Sequence, residues 1–243
     1  MPAYRFSPDW AKNDTQKSRR RLKRNKETMP TNLYIIRHGE AYTNIESVIG
    51  GMRGDRGLTE RGIAQAEALA RRLATGEIAA DVLYASTLPR TRATAERVAA
   101  ALKLPIAWDD ELHELRPGES DGMRVEDARA KFAGFSTFLR ESFTPIAPGG
   151  ESWGSFQART SAALERIITR HSDQTIVVIA HGGTIDVSFL YMLGLGPQAR
   201  ARNAFQSQNT AITHWRRVDS FGRLEWQLIA HNDHRHLLDG VTR

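Results

Sequence analysis

Twice in this chain, an apolar strand-like run ends in the dipeptide His-Gly. The first run, residues 33–37, leads into His38, and the second, residues 176–180, leads into His181. Short continuous apolar runs are typical of strands buried on both faces of a parallel sheet. Ligands of such sheets bind beyond the carboxyl ends of the strands. We therefore expect both histidines to face one site, with Arg37 beside them to bind an anion, most simply a phosphate.

Strand and helix patterns alternate after residue 30, which favours an α/β fold with a mostly parallel sheet. The strands are predicted at 32–37, 81–85 and 175–180, and a closing antiparallel hairpin at 210–218 and 224–231. Helices are predicted from Thr59, which would be the N-cap, and at 88–102, 151–171 and 184–193. The segment at about 110–150 is charged and interrupted by Pro and Gly. We interpret it as a cap of short helices over the site.

The chain has no cysteine, so disulfides and thiolate metal ligands are excluded. Its apolar runs are too short to span a bilayer, and no signal peptide is recognisable. We therefore expect a cytoplasmic protein without membrane association.

The net charge of +6 resides in residues 1–30, which hold nine Lys/Arg and three acids. The remaining 213 residues carry 25 basic and 25 acidic side chains. We interpret residues 1–30 as a disordered, solvated leader, because few apolar residues could anchor it. Binding of nucleic acid or an anionic surface through the leader is the alternative. A start at Met29, directly before the first strand, is a further alternative.

Six motifs follow one another in a recognisable order. They are Arg37-His38-Gly39-Glu40 with Asn44; Leu58-Thr59-Glu60-Arg61-Gly62 with Gln65-Ala66; Ser86, Arg90 and Thr94-Ala95; Leu112-His113-Glu114 with Gly118 and Gly122; Pro148-Gly149-Gly150-Glu151-Ser152; and His181-Gly182-Gly183. With these motifs the chain resembles the histidine phosphatase superfamily, which includes the cofactor-dependent phosphoglycerate mutases and many phosphatases. The resemblance covers roughly residues 32–238. It implies a three-layer α/β/α, phosphoglycerate mutase-like domain at 31–243 with a small cap, and neither a metal ion nor a cofactor.

Phosphoryl transfer needs a nucleophile, positive charge around the phosphate oxygens and a proton for the leaving group. We assign His38 as the nucleophile that forms a phosphohistidine, and Arg37 and Arg90 as bidentate phosphate clamps. Arg92 is the rival of Arg90, but the spacing from the family's serine and threonine favours Arg90. His181 would stabilise the transferring group.

Three further residues complete the predicted site. The backbone N–H of Gly182 and the side chain of Asn44 would donate hydrogen bonds to the phosphate. The resemblance implies that Glu114 is the general acid and then the base for water. Its neighbours Asp109, Asp110 and Glu111 are alternatives that spacing leaves open.

The resemblance favours the phosphatase branch, because the chain lacks the mutases' loop after the first motif and their long cap insertion. We expect a phosphoric monoester hydrolase, similar to the histidine acid phosphatases, that acts on a small phosphorylated metabolite. A phosphoglycerate mutase and a non-catalytic phosphate-binding module are the alternatives, and a homodimer is left open. Candidates for meeting a second anionic group of the substrate are Arg116, Arg124 and Arg140. We interpret the histidine-rich segment 231–236 as structural rather than metal-binding.

Overall fold

A computed structural model describes residues 29–238. All but the last two residues of the predicted basic leader therefore lie outside the described residues. The described chain forms one sheet with the strand order β3-β2-β4-β1-β5-β6. The strands are β1 Thr31–Arg37, β2 Val82–Ala85, β3 Ile106–Trp108, β4 Thr175–Ala180, β5 Ile212–Ser220 and β6 Arg223–Asp233. The first four run parallel to one another, and β5 is antiparallel to both β1 and β6.

Helices cover both faces of the sheet, so the predicted three-layer α/β/α fold is confirmed. The helices of the described residues are α1 Tyr42–Ile45, α2 Glu60–Leu73, α3 Pro89–Leu102, α4 Val125–Lys131, α5 Ala133–Thr137, α6 Trp153–Arg170 and α7 Gly182–Met192. Short 3-10 turns lie at Asp110–Leu112, Gly118–Ser120, Pro197–Ala201 and Arg235–Leu237. None of the helices within residues 29–238 is long and apolar enough to cross a bilayer.

Side chains of the central strands point alternately to the two faces of the sheet, so the hydrophobic core has two parts. On one face, Ile176 and Val178 of β4 pack with Leu164 and Ile167 of α6. On the other face, Val177 and Ile179 pack with side chains of α2 and α3 such as Leu69 and Val98. Successive side chains of a strand point to opposite faces, so a fully apolar strand must be covered on both sides. The apolar run that predicted β4 therefore reflects its central position.

The register of β1 and β4 places the two His-Gly dipeptides side by side. Arg37 at the end of β1 is paired with Ala180 at the end of β4. His38 and His181 are the next residues of their chains, so both emerge at the same edge of the sheet. The backbone N–H of His38 donates to the carbonyl of Ala180 at 2.9 Å, which continues the pairing into the site.

The structure differs from the predicted elements mainly at short segments and ends. Strand β3 was not predicted, because three residues at the edge of a sheet carry no periodic signal. Helix α6 begins at Trp153, since the Ser152 hydroxyl accepts the N–H of Ser155 as an N-cap. Strand β5 begins at Ile212 rather than at Thr210, whose φ of 60° lies in the left-handed region.

The segment predicted as a cap contains the short helices α4 and α5 and two 3-10 turns. It is fastened to the loop that comes after β1. The Asp121 carboxylate accepts the backbone N–H groups of Gly51, Arg53 and Gly54 at 2.9–3.0 Å. The backbone of Ile49 also exchanges hydrogen bonds with Gly122 and Met123. These bonds hold the loop and the segment together beside the carboxyl edge of the sheet.

Candidate active site

The two histidines of the His-Gly dipeptides lie together in the interior. Their ring centroids are 5.2 Å apart, with an angle of 61° between the ring planes. His38 is 3% exposed and His181 is fully buried. Both side chains are therefore buried rather than at the surface, and the structure brings the two residues together as expected from their positions at the strand ends.

The hydrogen bonds of His38 select one neutral tautomer. Its Nε2 lies 3.1 Å from Nε of Arg90, and its Nδ1 lies 2.6 Å from the carbonyl oxygen of Gly39. A guanidinium N–H can only donate, so Nε2 accepts and the ring proton is on Nδ1. Burial lowers the pKa of His38 well below its usual value, and the charges of Arg90 and Arg37 lower it further. The lone pair on Nε2 is therefore present at neutral pH.

Arg90 is held by a buried ion pair at the start of α3. Its NH1 donates to Oδ2 of Asp55 at 2.8 Å and to the carbonyl of Gly50 at 2.9 Å. The Asp55 side chain is completely buried and also accepts the backbone N–H of Arg90. A guanidinium anchored at one end presents its other nitrogens in a fixed direction. Asp55 therefore positions Arg90 against His38, a role that sequence reasoning missed.

The rival arginine points elsewhere. Nε of Arg92 donates to the carbonyl of Thr87 at 2.9 Å, and its guanidinium lies 4.4 Å from the ring centroid of Trp108. The structure therefore places Arg90, and not Arg92, beside His38.

His181 is oriented by hydroxyl groups. Its Nε2 lies 2.8 Å from Oγ of Ser86 and 3.3 Å from Oγ1 of Thr91. Its Nδ1 is buried and has no hydrogen-bond partner within residues 29–238. Burial and then the charge of Arg90 hold the pKa of His181 well below its usual value. Ser86 was found in a motif, but its contact with His181 was not predicted.

Arg37 and Gly182 border one cavity of about 600 Å³. Arg61 and Arg200 also line it, and we call it the arginine-lined cavity. Arg37 donates to the carbonyl of Ser207, while its buried Nε has no partner in the described part of the chain. Gly182 is the first residue of α7, where backbone N–H groups have no partner inside the helix. These donors suit an anion bound in the cavity.

Asn44 is hydrogen-bonded to Asn209, which lies just before strand β5. Oδ1 of Asn44 accepts the backbone N–H of Ala41 at 2.9 Å and the Asn209 amide at 3.4 Å. The same Asn209 amide donates to the carbonyl of His38 at 3.0 Å. Asn209 therefore links the side chain of Asn44 to the main chain of His38.

Glu114 is the acidic residue that reaches helix α7. Its Oε2 accepts the backbone N–H of Gly183 at 2.9 Å, and its Oε1 accepts the N–H of Leu115 at 3.0 Å. A Cβ atom at position 183 would lie 2.0 Å from Oε1 of Glu114, so glycine is needed for this approach.

The three alternatives to Glu114 have other partners. Asp109 pairs with Arg166, Asp110 accepts the hydroxyl of Thr87, and Glu111 pairs with Arg116 at 2.8 Å. Of the four acidic residues, Glu114 is therefore the one that contacts the start of α7, which distinguishes it from the alternatives that spacing left open.

A buried ion pair supports the segment that carries Glu114. Arg159 of α6 binds both carboxylate oxygens of Glu151 at 2.7 Å, and both side chains are largely buried. Arg159 also donates to the carbonyls of Glu111, His113 and Glu114. Neither residue was assigned this role from the sequence. Oε2 of Glu151 also accepts the backbone N–H of Arg116 at 2.9 Å, so the pair holds the main chain before and after Glu114.

The other arginines and histidines singled out from the sequence lie in different surroundings. Arg116 lines a small cavity with Glu114, while Arg124 pairs with Glu126 at the surface and Arg140 is exposed. In the histidine-rich segment, His231 contacts the carbonyl of Gln206, His234 that of Asn232, and His236 the hydroxyl of Thr210. Within residues 29–238 no group of three or more His, Cys, Asp or Glu residues is arranged to hold a metal ion.

Comparison with known proteins agrees with this geometry. A sequence profile described as histidine phosphatase superfamily (branch 1) matches residues 33–233. The chain belongs to this superfamily. The matched range contains every residue of the candidate site and the whole sheet except the first two residues of β1.

Relatives within the histidine phosphatase superfamily include a mutase and phosphatases. A 2,3-bisphosphoglycerate-dependent phosphoglycerate mutase of Brucella melitensis is 32% identical over 190 residues, which cover 76% of this chain and 90% of that protein. A mutant phosphoserine phosphatase of Entamoeba histolytica, solved with phosphoserine, has a TM-score of 0.70 and 28% identity over 85% of this chain and 99% of its own. Mycobacterial glucosyl-3-phosphoglycerate phosphatase, solved with VO3, has a TM-score of 0.70 and 25% identity. The match covers 83% of this chain and 98% of that protein. These similarities support enzymatic activity for the chain, but they do not distinguish a phosphatase from a mutase.

The first prediction concerns the electrostatics of His38. Replacing Arg90 by Gln removes a cation that disfavours the protonated ring, so the pKa of His38 is expected to rise. Arg92→Gln is the matched control, because Arg92 is two residues away on α3 and does not contact His38. Histidine-selective NMR titration of the wild type and both variants measures the change. An unchanged pKa in Arg90→Gln, or an equal rise in Arg92→Gln, would contradict this account.

Proposed function

We propose that the chain is a metal-independent phosphomonoester hydrolase that acts through a phosphohistidine intermediate on a small phosphorylated metabolite. The observation that carries the proposal is the buried, neutral His38, whose Nε2 lone pair is aimed at Arg90. A histidine nucleophile must be unprotonated and oriented through its other nitrogen, and the hydrogen bond from Nδ1 to Gly39 supplies that orientation.

In the first step, the bound phosphate takes over the N–H of Arg90, which frees the Nε2 lone pair of His38. Nε2 then attacks phosphorus, and the bond from phosphorus to the ester oxygen breaks. Arg37, Arg90 and Nδ1–H of His181 bind the phosphoryl oxygens, with further hydrogen bonds from Asn44 and the N–H of Gly182. Protonated Glu114 gives its proton to the leaving oxygen. The alcohol departs, and His38 carries the phosphoryl group.

In the second step, water attacks phosphorus and the bond to Nε2 breaks. The Glu114 carboxylate takes the proton of the attacking water, which returns Glu114 to its acidic form. Inorganic phosphate leaves, and His38 regains its neutral tautomer. The same two groups therefore serve both halves of the reaction.

A phosphoglycerate mutase is the second candidate, because the Brucella relative bears that name at 32% identity. Transfer to water is favoured because residues 49–55 do not resemble the mutase loop and the segment 110–150 is short. A non-catalytic phosphate-binding module is disfavoured by the complete set of His38, Glu114 and His181. The cytoplasmic location and a homodimer stay predictions.

The proposed function predicts hydrolysis of an aryl phosphate that survives excess chelator and depends on His38. We expect His38→Ala to lose at least about 1,000-fold in kcat/KM, because the nucleophile is removed. His234→Ala is the control and should retain activity. Rapid quenching should trap an acid-labile, alkali-stable phosphoryl group on residue 38 of the wild type.

Turnover that requires a metal ion, or that persists in His38→Ala, would contradict this mechanism. Isomerisation of 3-phosphoglycerate that exceeds phosphate release in the presence of 2,3-bisphosphoglycerate would instead favour the mutase.

The role of Glu114 predicts a dependence on the leaving group. Glu114→Gln should lose roughly 10²–10⁴ in kcat/KM on alkyl phosphates, whose alkoxides need a proton, and much less on p-nitrophenyl phosphate. Arg159→Lys should show the same selectivity with a smaller loss, because Arg159 positions the main chain around Glu114. Arg166→Lys, on the same helix but at the surface, is the control.

Equal losses on both substrates in Arg159→Lys would show that Arg159 acts only on stability. Circular dichroism of each variant establishes that the fold is retained.

A further inference from the structure

We propose that the active site takes phosphate monoesters of apolar alcohols or phenols, because a second cavity beside Glu114 is lined by hydrocarbon side chains. The proposal rests on the proposed function and names its substrate class. The cavity has a volume of about 310 Å³ and is lined mainly by Leu115, Phe135, Phe138, Leu139, Ile146 and Trp153. We call it the apolar cavity.

The apolar cavity borders residues that take part in the proposed reaction. Glu114 and Gly183 form part of its wall, as does Gly50, whose carbonyl accepts NH1 of Arg90. It shares Gly183, Asp186 and Arg200 with the arginine-lined cavity. In the proposed reaction the ester oxygen lies at Glu114 while the phosphate lies at Arg37. The carbon attached to that oxygen is therefore directed into the apolar cavity.

The charges around the apolar cavity do not suit a second anionic group. Besides Glu114, its charged residues are Asp186 and Arg200, which pair with each other at 2.9 Å. The Arg200 guanidinium also lies 5.1 Å from the ring centroid of Trp153. A substrate carboxylate would have to compete with Asp186 for this arginine. Esters of small hydroxy acids therefore fit this cavity less well than esters with hydrocarbon groups.

The volume of the apolar cavity limits the size of the alcohol part of the ester. Small-molecule sites in proteins have volumes from about 300 Å³ upward, so the apolar cavity is at the small end of this range. A cavity of this size has room for a chain of about six carbons or for one aromatic ring. Each methylene removed from water should raise kcat/KM about fourfold while the cavity is being filled. Phe138 lies next to Phe135, with ring centroids 6.2 Å apart, so removing Phe138 opens the wall of the cavity.

The test is a series of n-alkyl phosphates from ethyl to hexyl, assayed with the full-length protein. Their leaving groups have nearly equal basicity, so differences in kcat/KM report on binding of the chain. We expect kcat/KM to rise steadily with chain length in the wild type. The rise should be reduced in Phe138→Ala and kept in Phe143→Ala, because Phe143 is 69% exposed and does not line the cavity.

The outcomes separate this inference from the proposed function. Turnover that depends on His38 but is independent of chain length, or faster turnover of 3-phosphoglycerate or O-phosphoserine than of hexyl phosphate, would overturn the inference alone. If no ester is turned over, the proposed function fails, and calorimetric binding of hexyl and ethyl phosphate decides the inference. Tighter binding of hexyl phosphate that is weakened by Phe138→Ala would support the apolar cavity, and equal binding would refute it.

Discussion

The hydrogen bond from Nε of Arg90 to Nε2 of His38 is the interaction on which the rest of the site depends. It places a permanent cation against a buried imidazole, so the ring stays neutral and its Nε2 lone pair accepts the N–H of Arg90. Removing Asp55 from water would be costly without a partner, and its buried pair with Arg90 meets that cost while fixing the guanidinium. A phosphate bound at Arg90 would thus be delivered to the nitrogen that attacks it.

The arrangement of the sheet explains how distant segments supply this site. Pairing of β1 with β4 brings His38 beside His181, although 142 residues separate them along the chain. The start of α7 then offers the N–H of Gly183 to Glu114, and Arg159 fixes the main chain around that carboxylate. Nucleophile, cation and acid are therefore held by separate elements, each with its own buried support.

Local patterns were sufficient to predict the central strands, the long helices and the residues at the strand ends. They were sufficient because a strand buried on both faces needs a continuous apolar run, and the residue after its last position lies at the sheet edge. The spacing of the motifs also separated Arg90 from Arg92. It left Glu114 and its acidic neighbours open, and only the contacts of these carboxylates in the folded chain distinguish them. Asp55 and Arg159 could not be found this way, since each acts through a buried ion pair between segments distant in sequence. Strand β3 was missed for a different reason, because it is only three residues long at an edge.

A crystal structure of the protein with orthovanadate would test the central claim most directly. Vanadate adopts the five-coordinate geometry of a phosphoryl group in transfer, so it marks the attacking atom. We expect vanadium bonded to Nε2 of His38, its oxygens bound by Arg37, Arg90 and His181, and Glu114 facing the apical oxygen opposite His38. Vanadate bonded to another residue, or bound in the arginine-lined cavity without contact to His38, would contradict the account.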